Sequence, residues 1–189
     1  MRVASYKAWL TVGLMFIAGQ MVMPSRLSAQ TPAPADWRGR IATAMPLLGH
    51  RNWILIVDSA YPLQTSPGIE TVETDLDQLA ATRFVLHEIN DSIHVRPVIY
   101  MDAELPFVTD NDAPGASAYR SDIAAVLRGY PVASELHEKL IAEVAQESNA
   151  FHVLVLKTKM TVPYSSIFIR LDCKYWSADA EQRLRTKMR

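Results

Sequence analysis

The stretch Leu48-Gly49-His50-Arg51-Asn52-Trp53-Ile54-Leu55-Ile56-Val57-Asp58-Ser59-Ala60-Tyr61-Pro62 decides the fold. Trp53 to Val57 is an unbroken apolar run with β-branched residues, which reads as a buried strand. Gly49 suits the end of a preceding helix. A histidine stands in the turn before the strand, and an aspartate stands at its C-terminal end. In open α/β sheets, ligands sit beyond the carboxyl ends of strands. His50 and Asp58 are therefore expected to share one pocket as a proton-transfer pair.

Upstream, Trp37, Ile41, Ala44, Met45 and Leu48 recur at helical spacing, with Pro46 distorting the last turn. Downstream, residues 59–68 form a loop with Pro62 and Pro67. The spacing of Leu76, Leu79, Ala80, Phe84 and Ile89 predicts a helix over 75–90. A second strand runs over 95–101, where Pro97 points to a sheet edge or a strand start. A turn-rich loop at 110–115 leads into a helix over 117–128 that ends at Gly129. The next helix spans 134–148, with Ser134 as its cap and Leu136, Leu140, Ile141 and Val144 behind it. Strands follow at 151–156 and 166–171, joined through Thr161-Val162-Pro163-Tyr164. Helices alternating with short buried strands define an α/β class with a central sheet. One domain covers 37–176, and the charged segment 177–189 is a surface helix or a frayed end.

The N-terminus reads differently. Arg2 and Lys7 open it, Ala8 to Met23 is mostly apolar, and Ser28-Ala29 supplies small residues. That is the layout of a signal peptide over 1–30, followed by a Pro/Ala linker at 31–36. The apolar run falls short of the roughly 20 residues that span a bilayer, so no stable membrane span is expected after cleavage. The protein is expected to be exported, periplasmic or secreted. The chain holds 19 basic and 20 acidic residues. Three of the basic ones lie in 1–30, so the remainder carries a net charge of −4. Such a protein is a poor partner for nucleic acid.

Several chemistries lack their patterns. The single Cys173 makes no intramolecular disulfide, and nothing around it marks an activated thiol. Neither His87 nor His137 has a second histidine at zinc-protease spacing, and no Gly-rich phosphate loop or G-x-S-x-G elbow occurs. No metal and no organic cofactor is expected. Each remaining polar candidate has an ordinary structural reading as well. His50 suits a surface loop and Asp58 a turn cap. His137 suits a solvated first turn of a helix, and Tyr164 a packed loop aromatic.

Taken together, these segments resemble the RbsD/FucU-like sugar mutarotases, the family of D-ribose pyranase and L-fucose mutarotase. Leu48-Gly49-His50, the strand, and Val57-Asp58-Ser59-Ala60-Tyr61-Pro62 are similar to the family's L-G-H…D-A-x-x-P. His137-Glu138-Lys139-Leu140 resembles the helix that opens on the family's pocket histidine. Val162-Pro163-Tyr164-Ser165-Ser166-Ile167 resembles its P-Y-x-N-I segment. The resemblance covers about residues 37–172, only loosely over 69–130. It implies a compact α/β/α sandwich, a ring-like homo-oligomer with pockets often completed by a neighbouring subunit, and a free monosaccharide as ligand. His50 would be the general acid/base, and Asp58 would orient it or bind a sugar hydroxyl. His137, Tyr164 and Ser166 would contact the sugar. Opening a sugar hemiacetal needs only positioned acid/base groups.

The pattern is altered at two places. Ser166 stands where the family has Asn, and Lys159-Met160 stand where it has Gly-Glu. Three readings follow. The first is an exported mutarotase-like isomerase. The second is a non-catalytic carbohydrate-binding or oligomeric scaffold protein on the same fold. The third is an unrelated exported α/β protein, with Asp110 and Asp112, beside Asn111, in a hydrolase site or on calcium.

Overall fold

A computed structural model of the chain describes residues 36–189. The signal peptide expected at 1–30 and the linker up to Ala35 lie outside the described residues. The apolar run does form the first strand, β1 (Trp53–Val57), and all five of its residues are buried. It lies inside a six-stranded sheet. The other strands are β2 (Ile69–Glu73), β3 (Val95–Asp102), β4 (Val132–Glu135), β5 (Val153–Lys157) and β6 (Ile167–Cys173). Their spatial order is β2-β5-β1-β6-β3-β4. The pairings β2·β5, β1·β5 and β3·β4 are parallel, and β6 runs antiparallel to both β1 and β3.

The alternation of side chains along the strands splits the core into two layers. Ile54 and Ile56, with Leu154, Leu156, Ile167, Ile169 and Leu171, face helices α1 (Trp37–Ala44), α2 (Gln78–Asp91) and α3 (Ala116–Val126). Trp53, Leu55 and Val57 point the other way, with Val153, Val155 and Phe168. Leu140 and Val144 of α4 (His137–Glu147) and the ring of Tyr61 cover them. The result is an α/β/α sandwich. The last helix, α5 (Ala178–Lys187), is capped by Ser177 and buries none of its residues. Among the described residues, no helix is long and apolar enough to cross a membrane.

Two expectations are revised, and one strand goes beyond them. The helix expected from Ser134 starts at His137, because Ser134 is taken into β4. The N-cap position is Leu136, which has no capping side chain, and Glu104 does that work from a distance. Strand β2 was hidden in sequence, since Ile69-Glu70-Thr71-Val72-Glu73 is a half-exposed sheet edge without a strong apolar run. Finally, β3 is an interior strand despite Pro97. Its parallel partner β4 pairs only with Ile99 to Asp102, so one side of β3 is open at Pro97. A residue without an N–H is tolerated at such a place.

Candidate active site at the carboxyl edge of the sheet

Five strands point the same way, so their C-terminal ends share one edge, and β6 begins there. Asp58 follows β1, Asp102 ends β3, and His137 opens α4 just after β4. Thr158 follows β5, and Ser165-Ser166 precede β6. A cleft of about 490 Å³ opens at this edge, lined by Asp58, Tyr61, His137, Thr161, Pro163 and Tyr164.

Asp58 is half-buried. Its Oδ1 accepts the Ala60 N–H at 2.8 Å, which closes a local turn, and its Oδ2 accepts the Ser166 hydroxyl at 3.4 Å. The turn-cap role and a place in the cleft are thus compatible. Ser166 itself is fully buried and turned onto Asp58, so its hydroxyl stands behind the cleft wall.

His137 is held at two points. Both carboxylate oxygens of Glu104 accept its backbone N–H at 3.1 Å. Its ring Nδ1 lies 3.0 Å from Asp102 Oδ2. The Tyr164 ring meets the imidazole edge-on, with centroids 5.5 Å apart and planes at 86°. Tyr164 adopts a left-handed backbone, φ 58°, a strained conformation for a side chain of its size. Pro163 before it and the buried Ser165-Ser166 pair after it hold the turn in place.

Burial sets the protonation of the surrounding groups. Asp102 has no side-chain exposure. Its carboxyl is pushed up to about 6 by burial, opposed by His137 and reinforced by Glu104 and Asp58. The Tyr61 phenol is also pushed up by burial, and its hydroxyl donates to Gln64 at 3.1 Å.

Behind the cleft, Gln78 at the start of α2 ties the loops together. It is fully buried. Its amide donates to the carbonyl of Ser165 and lies 3.2 Å from the Tyr119 hydroxyl. Its carbonyl accepts the Thr158 hydroxyl at 3.2 Å. The Tyr119 hydroxyl also donates to Ser165 O at 2.6 Å. Polar groups buried this deeply are costly unless paired, so the network defines where the 158–166 loop can lie.

The expected pairing of His50 with Asp58 does not occur within one chain. The two flank opposite ends of β1, a strand about 16 Å long. His50 Nδ1 instead meets Asp172 Oδ1 at 2.9 Å, and Arg96 Nε donates to the other oxygen of Asp172 at 3.0 Å. These groups line a separate cleft of about 620 Å³ with Trp176 and Glu181. The physical reason is simple: a residue before a strand and one after it cannot meet when the strand between them is extended. The cleft at the carboxyl edge therefore brings together Asp58, His137 and Tyr164, with Ser166 behind them, and leaves His50 out.

The acidic loop is also accounted for locally. Asp110 Oδ1 accepts the N–H groups of Gly115 and Ser117, both at 3.1 Å, which caps α3. Asp112 takes the Thr109 hydroxyl at 2.7 Å. Asp102, Glu104 and Gln78 went unnoticed in the sequence. Asp102 carried the same signal as Asp58, a carboxylate ending an apolar strand. Glu104 and Gln78 carried none, because their partners lie 33 and 87 residues away.

The fold is that of a known α/β class. The chain superposes on RbsD of Bacillus subtilis, solved with D-ribose, with a TM-score of 0.51 at 13% identity, over 70% of this chain and 91% of that one. FucU of Bifidobacterium longum gives 0.49 at 12% identity, covering 71% and 94%. The fucose mutarotase of Streptococcus pneumoniae, solved with L-fucose, gives 0.47 at 17% identity, covering 75% and 97%. No family model and no curated protein matches the sequence. At 13% identity the superposition on RbsD establishes a shared fold alone, the RbsD-type α/β sandwich.

Proposed function

We propose that the cleft binds a free monosaccharide and opens its hemiacetal, interconverting the ring forms without a cofactor. The observation that carries this reading is the convergence of Asp58, His137 and Tyr164 on one cleft of sugar size. One acid/base group takes the anomeric hydroxyl proton as the bond between the anomeric carbon and the ring oxygen breaks. The electron pair passes to the ring oxygen, and the same group returns the proton there. Reclosure on the other face, or through another hydroxyl, gives the other form. A histidine can take up and return a proton near neutral pH. His137 is that group, Asp58 accepts a sugar hydroxyl, and the Tyr164 ring offers an apolar face and a hydroxyl to the sugar.

The resemblance assigns the acid/base role to His50, which this chain places at the far end of β1. That role is open to His50 only if a second copy brings it to the cleft, which would make the active form a homo-oligomer. Export by residues 1–30 would set the protein on sugars outside the cytoplasm.

Anomer exchange of D-ribose, L-fucose and other aldoses, followed by NMR magnetisation transfer, tests the reading. Wild-type protein is expected to exceed buffer. Asp58→Asn and His137→Ala are expected to lose roughly 10²- to 10⁴-fold. Exchange equal to buffer for every sugar overturns catalysis. Binding without exchange would establish the second reading, a carbohydrate-binding protein. The observation favouring that reading is the inward-turned Ser166.

A further inference from the structure

We propose that Asp102 is a positioning residue that holds His137 in the tautomer with its proton on Nδ1, leaving Nε2 as the proton acceptor of the cleft. The inference rests on the reading of the cleft as a sugar site in which His137 moves a proton. The geometry gives one carboxylate oxygen to one ring nitrogen, at 3.0 Å. An ionised carboxylate only accepts, so Nδ1 must carry the hydrogen. Nε2 has no protein partner among the described residues, and the His137 side chain remains 27% exposed at the cleft wall. Glu104, just beyond the end of β3, takes the backbone N–H of the same residue, so His137 is held at its ring by Asp102 and at its backbone by Glu104.

Asp102 is poorly explained as a stabilising residue. Its Oδ1 is buried without a partner among the described residues, an arrangement that costs stability. A buried acceptor left bare beside a cleft histidine is the pattern of a functional group. Among the described residues, the charged and titratable groups around it offer no partner for Oδ1. Glu104 lies on its own loop, Asp58 at the end of β1, Tyr61 in the loop beyond, and Tyr119 and Arg120 on α3. The Arg120 guanidinium is committed to Val108 O and to the Ser117 hydroxyl at 2.8 Å. As pH falls through about 6, Asp102 gains a proton, and its O–H can then donate to Nδ1. The tautomer requirement reverses, and Nε2 no longer accepts.

Long-range ¹H–¹⁵N spectra of uniformly ¹⁵N-labelled protein at pH 7.5 test this directly. The His137 signals are identified by their loss in His137→Gln. Wild type is expected to show a protonated Nδ1 and a bare Nε2. Asp102→Asn, whose amide can donate to Nδ1, is expected to move the proton to Nε2. Asp102→Leu, which can neither accept from Nδ1–H nor donate to Nδ1, serves the same comparison if the Asn variant does not fold. A wild-type spectrum with Nε2 protonated overturns the proposal, and so does an unchanged His137 tautomer in a folded variant. In the exchange assay, Asp102→Asn is expected to lower kcat about ten-fold or more with little change in KM, and to remove the acid limb near pH 6. If the tautomer follows Asp102 while no sugar exchanges above buffer, the positioning inference stands and the catalytic reading falls.

Discussion

At the residue scale, Asp102 carries the largest trade between stability and chemistry. Its folded carboxyl is raised from 3.8 to about 6. In the unfolded chain it gives up its proton near the ordinary value. Between about pH 4 and 6 the folded state therefore binds more protons, and stability falls as pH rises through that window. Two units correspond to about 3 kcal/mol at most. Asp102→Asn is expected to be more stable than wild type at pH 7, by roughly 1–3 kcal/mol, with the advantage shrinking towards pH 4. Denaturant melts of both proteins at the two pH values measure it. A difference independent of pH would mean that the carboxyl is not destabilised by burial. Gain in stability with loss of exchange is the expected mark of a functional group held in an unfavourable place.

At the scale of elements, the loop between β5 and β6 owes its position to α2. Gln78→Leu keeps the volume but removes one hydrogen bond at Ser165 O, which keeps Tyr119, and one at the Thr158 hydroxyl, which keeps Val57 O. A loss of about 1–3 kcal/mol in denaturant melts is expected, with weaker sugar binding because Tyr164 sits on the same loop. Full retention of both would show that the network is dispensable. The start of β2 depends on a close approach. A Cβ at Gly68 would lie 2.7 Å from Phe151 O and closer still to Ser148 O. Both are backbone atoms at the α4–β5 connection, which cannot step aside cheaply. Gly68→Ala is expected to cost about 1–3 kcal/mol or more. Thermal unfolding reads this, and an unchanged midpoint would refute the contact.

At the scale of the whole molecule, the position of His50 makes a prediction about assembly. If one copy's His50 completes another copy's cleft, His50→Ala and Asp58→Ala variants are each inactive alone. Mixed after co-refolding, they restore activity, because some interfaces regain both groups. A mixture as inactive as its components, with a monomeric native mass, would remove His50 from the reaction. In that case His137 and Asp58 act alone, and His50 belongs to its contact with Asp172. The outer aromatic pair Tyr175 and Trp176 and the exposed α5 lie beside that cleft, beyond the part of the chain that resembles the mutarotases.

The sequence by itself determined the α/β class, the buried strand β1, and the segments that carry Asp58, His137 and Tyr164. These are local properties: an apolar run, a helical period, a Pro-Tyr turn. It misread Ser134 as a helix cap and gave no sign of β2, because a cap or an edge strand depends on what lies opposite in space. Tertiary structure alone decided which polar groups meet. Strand direction separated His50 from Asp58, although eight positions apart looked close enough to share a pocket. The parallel ordering of the strands gathered Asp58, Asp102 and His137 on one edge, and burial between the sheet and α4 gave Asp102 its altered protonation. Hydrogen bonds across 35 and 87 residues leave no periodic trace in a chain, so they appear only when the sheet is assembled.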